Sequence, residues 1–471
     1  MQEGRRETAA LAALVAAAAT LRLFFAWRYP GFATGDDLET IETAGKYALG
    51  LRYQPWGIRC LFHPLTFLWP VLRAAWFAGA RDPRVLTWAA CLPAVAFSTV
   101  TAVAVHALAR RLKCSSAAAL AAAAFFAFHF LPLAFGSTAF PRPISTALLT
   151  VAFFVVAGEG HDSRRALLAG ALAGAAFAVR WSEGVVLLPL AGWAAWRRRS
   201  LRPAALVLAG FAAAAFVFVG AFDWATWGTP FASLWAYFET MYLEIPGWRL
   251  AQEKGFGYYV WNVLNWAGPV AMLLLLPAWR DRRARAPIAA VAAIVVLMSL
   301  FAHKEWRYLQ AAIPFLCIGA ALGWERLRAR FGAVAAAAVL VLGCAWGIER
   351  ARTFLAKKSQ AELAAARWIR TLRPPPRTVA LEQSWAYGNR LYLGNSIEIR
   401  EIEWQRPLTR LAVREAAEGT DLVAVYVEHL EAPVAAELRA RGFEEGARFH
   451  ADLGRDCVVY LARTRISEAD R

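Results

Sequence analysis

Long apolar runs recur from about residue 8 to about residue 348, separated by short charged segments. The runs are continuous and do not show the strict alternation of a membrane β-barrel strand. A helix needs about 20 apolar residues to cross a bilayer, so the pattern predicts an all-α polytopic membrane protein with about 11 transmembrane helices. The predicted spans are roughly 8–28, 85–109, 116–135, 144–157, 166–180, 184–196, 204–222, 261–279, 288–302, 308–324 and 331–348.

The run at 62–79 is also apolar, but we do not expect it to cross the membrane. Pro64, Pro70 and Arg73 interrupt it. Proline inside a helix removes a backbone hydrogen bond and kinks the axis. We therefore predict an interfacial or re-entrant helix within a long first outer loop, 29–84.

Positive charge is concentrated in short loops between the apolar runs. Loops of this kind face the cytoplasm in most membrane proteins. If the first span starts inside, all the clusters face the cytoplasm: 110–113, 164–165, 197–199, 280–285 and 326–330. The outer side then receives 29–84, 136–143, 181–183, 223–260, 303–307 and everything after 348.

The composition agrees with a membrane protein and argues against nucleic-acid binding. The 471 residues are 59% hydrophobic and 18% charged, with a net charge of +17. The basic residues form no surface interleaved with aromatics of the kind that grips a polynucleotide. The six cysteines are scattered without metal-ligand spacing. The high alanine and arginine content indicates a bacterial genome rich in G and C, so the outer side is expected to be the periplasm.

The composition changes after about residue 349, where charged residues become frequent. A helix at 359–372, a break at Pro374-Pro375-Pro376 and a helix near 431–441 are predicted. Short segments rich in β-branched residues at 378–381, 422–427 and 457–461 are typical of strands. We predict a transmembrane catalytic domain over 1–348 and a small α/β domain on the outer side over 349–471, whose role the sequence does not indicate.

His303-Lys304-Glu305-Trp306-Arg307 brings four ionisable residues together between two apolar runs. Charged side chains are costly inside a bilayer, so this segment must lie at an aqueous face or in a wet cavity. Lysine, arginine and histidine together suit an anion such as phosphate. The alternative is a short hydrated loop that caps two helices.

The first outer loop opens with Gly35-Asp36-Asp37-Leu38-Glu39, and Glu42 follows. One of two adjacent carboxylates near a membrane cavity can have a raised pKa and take a proton from a sugar hydroxyl. The alternative is that these acids are solvated and help to orient the protein.

Further polar residues fall on the predicted outer side. Arg59 lies in the first loop, and Arg180-Trp181-Ser182-Glu183 separates two apolar runs. Asp223 and Trp227 end another run and precede an aromatic-rich loop that contains Tyr258. Aromatic rings beside carboxylates stack on sugar faces, although an interfacial aromatic belt gives the same composition.

Several segments of the chain, taken in the order in which they occur, resemble glycosyltransferase family 22. Its members are the polyprenyl- or dolichyl-phosphate-mannose-dependent α-mannosyltransferases of N-glycan and GPI-anchor assembly. The resemblance covers about 20–350. Its most specific match is His303 to Tyr308 followed by Pro314-Phe315. Asp37 stands where the family usually has Glu, and Trp181-Ser182 replace Pro-Thr. The other matching residues are Asp36, Glu42, Gly50, Trp56, Ile58-Arg59, Arg180 and Asp223 to Gly228.

The resemblance implies a GT-C fold with an outward-facing site, which transfers a hexose, most simply mannose, from a polyprenyl-phosphate donor with inversion. Asp36 or Asp37 is expected to be the base. We expect the donor phosphate to be held by His303, Lys304, Arg307 and Arg180. Residues expected to bind the acceptor or sugar, or to support the site, are Glu39, Glu42, Arg59, Asp223, Trp227, Tyr258 and Glu305.

Two alternatives remain open from the sequence. One is a GT-C transferase of another sugar, such as a pentose or aminoarabinose, or an oligosaccharide ligase. The other is a transporter or flippase of lipid-linked substrates, although the chain shows no internal repeat. The phosphodiester donor carries one negative charge, which protein cations can balance. We therefore expect no cofactor and no divalent metal, and we expect a glycan or lipid-linked acceptor.

Overall fold

The structure is a computed structural model that describes residues 2–158, 162–244, 253–402 and 408–463. Helices dominate it. Within these ranges, four helical segments are long and apolar enough to cross a membrane: Gly4–Arg28, Pro83–Arg111, Arg202–Trp227 and Trp306–Thr371. The helices Ser116–Phe128, Arg142–Val156 and Pro269–Ala278 are apolar but shorter. The chain is thus a multi-pass membrane protein, but a count of 11 spans is not confirmed.

The α-helices span Gln2–Arg28, Gly35–Leu49, Trp69–Phe77, Pro83–Arg111, Ser116–Phe128, Phe130–Phe135, Arg142–Val156, Ser163–Val179, Leu187–Arg198, Arg202–Ala215, Phe222–Trp227, Ala232–Phe238, Tyr258–Trp261, Val263–Trp266, Pro269–Ala278, Arg285–Ser299, Ile313–Ala356, Gln360–Thr371, Asn389–Leu393, Arg410–Ala417 and Ala432–Ala440. Short 3₁₀ and π segments join several of them, notably Pro64–Leu68, Trp181–Val186, Phe216–Ala221 and Trp306–Ala312.

Four predicted spans differ from the helices that form. The prediction of one helix over 261–279 is wrong, because Gly268 adopts a φ of 85° and Pro269 starts a new helix. The run 116–135 is divided at His129, whose backbone is extended. The runs 308–324 and 331–348 belong to a single helical segment that is interrupted at Gly332, where φ is 88°.

The proline-interrupted run at 62–79 forms a π-helical turn, Pro64–Leu68, followed by the helix Trp69–Phe77. Fourteen helical residues extend about 21 Å, which is less than the roughly 30 Å of a bilayer core. The helical part of this run is therefore shorter than a bilayer core, and its non-crossing, re-entrant position stays a prediction.

The chain divides into two compact units. The first contains Met1–Phe24, Trp56–Thr66 and Cys91–Arg352, and the second contains Phe25–Pro55, Phe67–Ala90 and Thr353–Arg471. The C-terminal part thus begins close to the expected boundary, but residues 25–55 and 67–90 of the first outer loop region belong to the same unit. The assignment of a catalytic domain and an outer-side domain stays a prediction.

A five-stranded sheet forms the core of the C-terminal part. Its strands are β1 (Thr378–Glu382), β2 (Glu398–Ile402), β3 (Leu422–Tyr426), β4 (Phe443–Phe449) and β5 (Cys457–Ala462), in the order β2-β1-β3-β5-β4. Strand β1 is parallel to β2 and β3, whereas β5 is antiparallel to β3 and β4. The three predicted strands and both predicted helices are confirmed, while β2 and β4 were not predicted.

Candidate functional site

The two adjacent aspartates begin the helix Gly35–Leu49, which we call the acid helix. Thr34 precedes it in an extended conformation. The carboxylate of Asp37 accepts hydrogen bonds from the Ala33 amide (2.9 Å) and the Thr34 hydroxyl (3.1 Å). A side chain in the first turn that reaches back in this way satisfies donors left unpaired at a helix start. Asp37 is only 1% exposed and anchors the turn, whereas Asp36 is only half-buried.

Glu42 lies one and a half turns further along the acid helix and is 1% exposed. Its Oε1 accepts the backbone amides of Arg390 (2.7 Å) and Leu391 (3.3 Å). These amides open the short helix Asn389–Leu393. Burial raises the pKa of Glu42 to about 7, although these hydrogen bonds oppose the rise. Glu42 therefore joins the acid helix to the C-terminal part. Glu39 is partly buried on the same helix.

The segments that flank the acid helix are held by residues of the same unit. The Phe32 amide donates to the Ser359 hydroxyl at 3.0 Å, and Lys358 donates to the Tyr29 carbonyl at 3.3 Å. At the other end, the Asn395 side chain donates to the Gly50 carbonyl at 2.9 Å. The position of Asp36 thus depends on both ends of the acid helix being fixed by C-terminal residues.

Lys304 lies in the other unit and is 2% exposed. Its ammonium group donates to the carbonyl oxygens of Lys254 (2.7 Å) and Phe301. Lys254 in turn donates to the Lys304 carbonyl at 3.2 Å. Burial lowers the pKa of Lys304, and Glu253 opposes this effect. Lys304 therefore joins two backbone segments, which differs from the phosphate-binding role that its sequence suggested.

Glu305 lies between two basic side chains. One of its carboxylate oxygens lies 3.0 Å from both His303 Nε2 and Arg307 Nη2, and the second oxygen contacts Arg307 Nε. Arg307 is 8% exposed. Glu305 thus fixes the orientation of both basic groups.

Three arginines from separate segments meet at two aromatic rings. Arg142 and Arg307 lie 4.5 and 6.0 Å from the centre of the Tyr308 ring. Arg307 and Arg180 lie 4.9 and 5.5 Å from the centre of the Phe140 ring. We call Arg142, Arg180 and Arg307 the arginine triad. The rings hold the guanidinium groups together through cation–π contacts.

Two members of the arginine triad are paired with carboxylates. Arg142 pairs with Glu183 at 2.7 Å, and both residues have fully buried side chains. Glu305 pairs with Arg307. Three guanidinium groups held this close together favour the binding of an anion such as phosphate.

The sequence reasoning missed Arg142 and His63. Arg142 is a lone arginine between two prolines at the start of an apolar run, which is a signal the sequence does contain. His63 is 2% exposed, and burial together with nearby Arg180 lowers its pKa to about 3. It is therefore neutral and adds no charge beside the triad.

The remaining candidates have other contacts. Arg59 stacks on Trp56 at 5.5 Å. Fully buried Asp223 accepts the Ser233 amide (2.9 Å) and hydroxyl (2.7 Å), which fixes a turn. Tyr258 accepts a long hydrogen bond (3.5 Å) from Lys254, and Trp227 is partly buried.

Asp36, Asp37, Glu39 and Glu42 belong to the second unit, and the remaining predicted site residues belong to the first. Where the structure describes the chain, it contains no group of three or more His, Cys, Asp or Glu residues arranged to hold a metal ion. Metal independence stays a prediction.

The model of the Alg9-like mannosyltransferase family matches residues 38–373. The fold is similar to a crystal structure of ArnT from Cupriavidus metallidurans bound to undecaprenyl phosphate, with a TM-score of 0.61, 13% identity, and coverage of 95% of this chain and 97% of that one. The fold is also similar to that of the Archaeoglobus fulgidus oligosaccharyltransferase, with a TM-score of 0.55, 12% identity, and coverage of 92% of this chain and 73% of that one. For the mycobacterial arabinofuranosyltransferase AftD, the TM-score is 0.56 and the identity is 14%, with coverage of 95% of this chain and 40% of that one. No curated protein sequence matches.

Proposed function

Because this chain belongs to the Alg9-like mannosyltransferase family and has a GT-C fold, we propose that it transfers mannose from a polyprenyl-phosphate donor to a hydroxyl acceptor. The donor's lipid tail stays in the bilayer, so the enzyme must meet it there. The observation that carries the proposal is the convergence of three arginines from separate segments at the rings of Tyr308 and Phe140, because clustered guanidinium groups suit the phosphate of the donor.

The triad is the proposed site of the donor phosphate. Its guanidinium groups offer several donors in a region of low exposure, where charge-assisted hydrogen bonds are strong. As the sugar leaves, negative charge develops on the phosphate, and fixed cations lower the energy of that state. His303 assists through Glu305, and Lys304 holds the loop that carries them. The neighbour ArnT, crystallised with undecaprenyl phosphate, supports a lipid phosphate as donor.

Asp36 is the proposed base. Asp37 is almost fully buried and holds the helix start, so the half-exposed carboxylate of Asp36 is better placed to meet an acceptor. Asp36 takes the acceptor hydroxyl proton while the acceptor oxygen bonds to the anomeric carbon. The bond from that carbon to the phosphate oxygen breaks, and the electron pair leaves with the phosphate. A single displacement of this kind inverts the anomeric carbon.

The C-terminal part has a positioning role in this proposal. Its contacts through Glu42, Ser359 and Asn395 fix the helix that carries Asp36. We propose that the reaction takes place on the outer side of the cell membrane, with the N-terminus in the cytoplasm. In a bacterium this is the periplasmic side of the inner membrane.

The test is transfer from labelled polyprenyl-phosphate mannose to candidate acceptors by the purified protein. We expect turnover with the wild type and loss of turnover with Asp36→Asn, while Asp37→Asn mainly loses stability. Normal transfer by Asp36→Asn would contradict the base assignment. Thermal unfolding of each variant is the control for folding.

A pentose donor is the second candidate, because AftD is named as an arabinofuranosyltransferase and has the same fold. Competition among several polyprenyl-phosphate sugars decides between the two donors. Family membership favours either enzyme over the transporter alternative.

A further inference from the structure

A cavity of about 250 Å³ lies where four helices begin or end. The helices Arg142–Val156 and Leu187–Arg198 end at this cavity, and Ser163–Val179 and Arg202–Ala215 begin there. The first of these helices begins at Arg142 of the arginine triad and has 15 residues. Its two ends are therefore about 22 Å apart. The cavity lies at the opposite end of this helix from the triad and is separate from the proposed donor site.

The polar side of this cavity is strongly basic. Arg165, Arg198 and Arg202 line it together with a single carboxylate, that of Asp162. Asp162 lies 3.4 Å from Arg165, and Arg198 donates to the Gly158 carbonyl. The described residues of the lining thus include three arginines and one aspartate, which gives the lining a net positive charge.

Two helix starts add to this potential. The helices that begin at Ser163 and Arg202 have 17 and 14 residues. Backbone amides at a helix start carry partial positive charge and attract anions. Arg198 contacts the Gly158 carbonyl and Arg165 contacts Asp162, so capping of helix ends involves only two of the three arginines.

The lining also contains apolar side chains, including Val155, Val156 and Leu206. The helix at Arg202 is also the start of a segment apolar enough to cross a membrane, Arg202–Trp227. Arginines at the end of such a segment lie at the depth of the lipid headgroups. A ligand here therefore meets both cationic and apolar side chains.

We propose that this cavity binds an anionic membrane phospholipid. Its phosphate contacts Arg165, Arg198 and Arg202, and its first acyl carbons contact Val155 and Leu206. Basic pockets between membrane helices recognise anionic headgroups through this combination of charge and depth. A soluble phosphate offers the same charge but no acyl chain to cover the apolar side.

The test uses the purified full-length protein in a neutral detergent. Its thermal unfolding is followed while dioleoylphosphatidylglycerol, dioleoylphosphatidylcholine or inorganic phosphate is added. We expect saturable stabilisation by phosphatidylglycerol alone. The double variant Arg198→Gln/Arg202→Gln should need roughly 10–30-fold more phosphatidylglycerol for half-saturation, because each arginine near an anionic surface contributes about a factor of ten or less.

The matched control is Arg328→Gln/Arg330→Gln, which removes two exposed arginines from another basic segment. Phosphatidylglycerol should stabilise this variant at the same concentrations as the wild type. Equal weakening in both double variants would show a general charge effect and overturn the proposal. Saturation by inorganic phosphate at the same concentration, or no response to phosphatidylglycerol, would also overturn it.

If the double variant does not fold, Ser200→Glu provides an independent test. Ser200 is exposed and lines the same cavity. A glutamate there keeps all three arginines but competes with the lipid phosphate for them. We expect weaker stabilisation by phosphatidylglycerol, and an unchanged titration would contradict the proposal.

Discussion

Glu42 makes the stability of the acid helix depend on pH, and the substitution Glu42→Gln tests this. Glutamine keeps an oxygen that accepts the Arg390 amide, but it carries no charge. Burial raises the pKa of Glu42 from 4.5 to about 7. A pKa shift of this size means that folding stabilises the protonated form of Glu42 by about 3 kcal/mol relative to its charged form.

The direction of the pH dependence follows from the raised pKa of Glu42 in the folded state. Below pH 4.5 Glu42 is protonated in both states, and the folded state has its full stability. As the pH rises through about 7, the unfolded state has already lost its proton, and charging the buried group destabilises the folded state. The wild type should therefore lose about 3 kcal/mol of local stability between pH 4.5 and 8.

The assay is hydrogen exchange of the amides in 35–49 at pH 5 and pH 8, corrected for intrinsic exchange rates. We expect the opening free energy of the wild type to fall with pH and that of Glu42→Gln to stay nearly constant. Glu444→Gln, an exposed change in the same unit, is the control and should behave like the wild type. The same pH dependence in Glu42→Gln and wild type would refute the reasoning.

Four further changes test the proposed roles of Asp36, Asp37 and Glu183 and the proposed independence of metal ions. Asp36→Asn should lower turnover by about 10²–10⁴-fold at unchanged stability, because a general base contributes this much; Asp37→Asn should instead cost about 1 kcal/mol of stability through weakened hydrogen bonds. Glu183→Gln leaves Arg142 buried without its anion and should lower the free energy of unfolding by about 3–5 kcal/mol in denaturant titrations. Turnover should survive EDTA, and loss of turnover restored by Mg²⁺ or Mn²⁺ would contradict a metal-independent mechanism.

The strands that the sequence predicted are those buried on both faces. Strand β3 is wholly buried, and its run of aliphatic residues is visible in the sequence. Strands β2 and β4 lie at the two edges of the sheet, and several of their residues are exposed and charged. An edge strand with polar side chains has little hydrophobic signal, and its partner strand decides its conformation.

The predicted membrane helices were least reliable where local backbone geometry interrupts an apolar run. Hydrophobicity alone made 261–279 one span, yet the positive φ of Gly268 divides it. Conversely, Arg326 and its neighbours suggested a loop, but helical structure continues as far as Gly332. Apolar content indicates that a segment prefers lipid, but it does not determine whether the segment is one helix.

The site was only partly predictable for a different reason. His303 to Arg307 stood out because four charges break an apolar stretch, and Glu305 does orient two of them. The role of Lys304 as a donor to two carbonyls depends on Lys254, which is fifty residues away in sequence. The importance of Arg142 likewise depends on Glu183 and on the ring of Tyr308, and neither contact leaves a pattern in the sequence.

The most direct test of the proposed donor site is the affinity of the purified protein for undecaprenyl phosphate, compared among wild type, Arg307→Gln and the control Arg328→Gln. A charge-assisted hydrogen bond contributes about 1.5–3 kcal/mol, so Arg307→Gln should weaken binding by roughly 10–100-fold. The control should bind like the wild type. Equal affinity in all three proteins would contradict the assignment of the arginine triad to the donor phosphate.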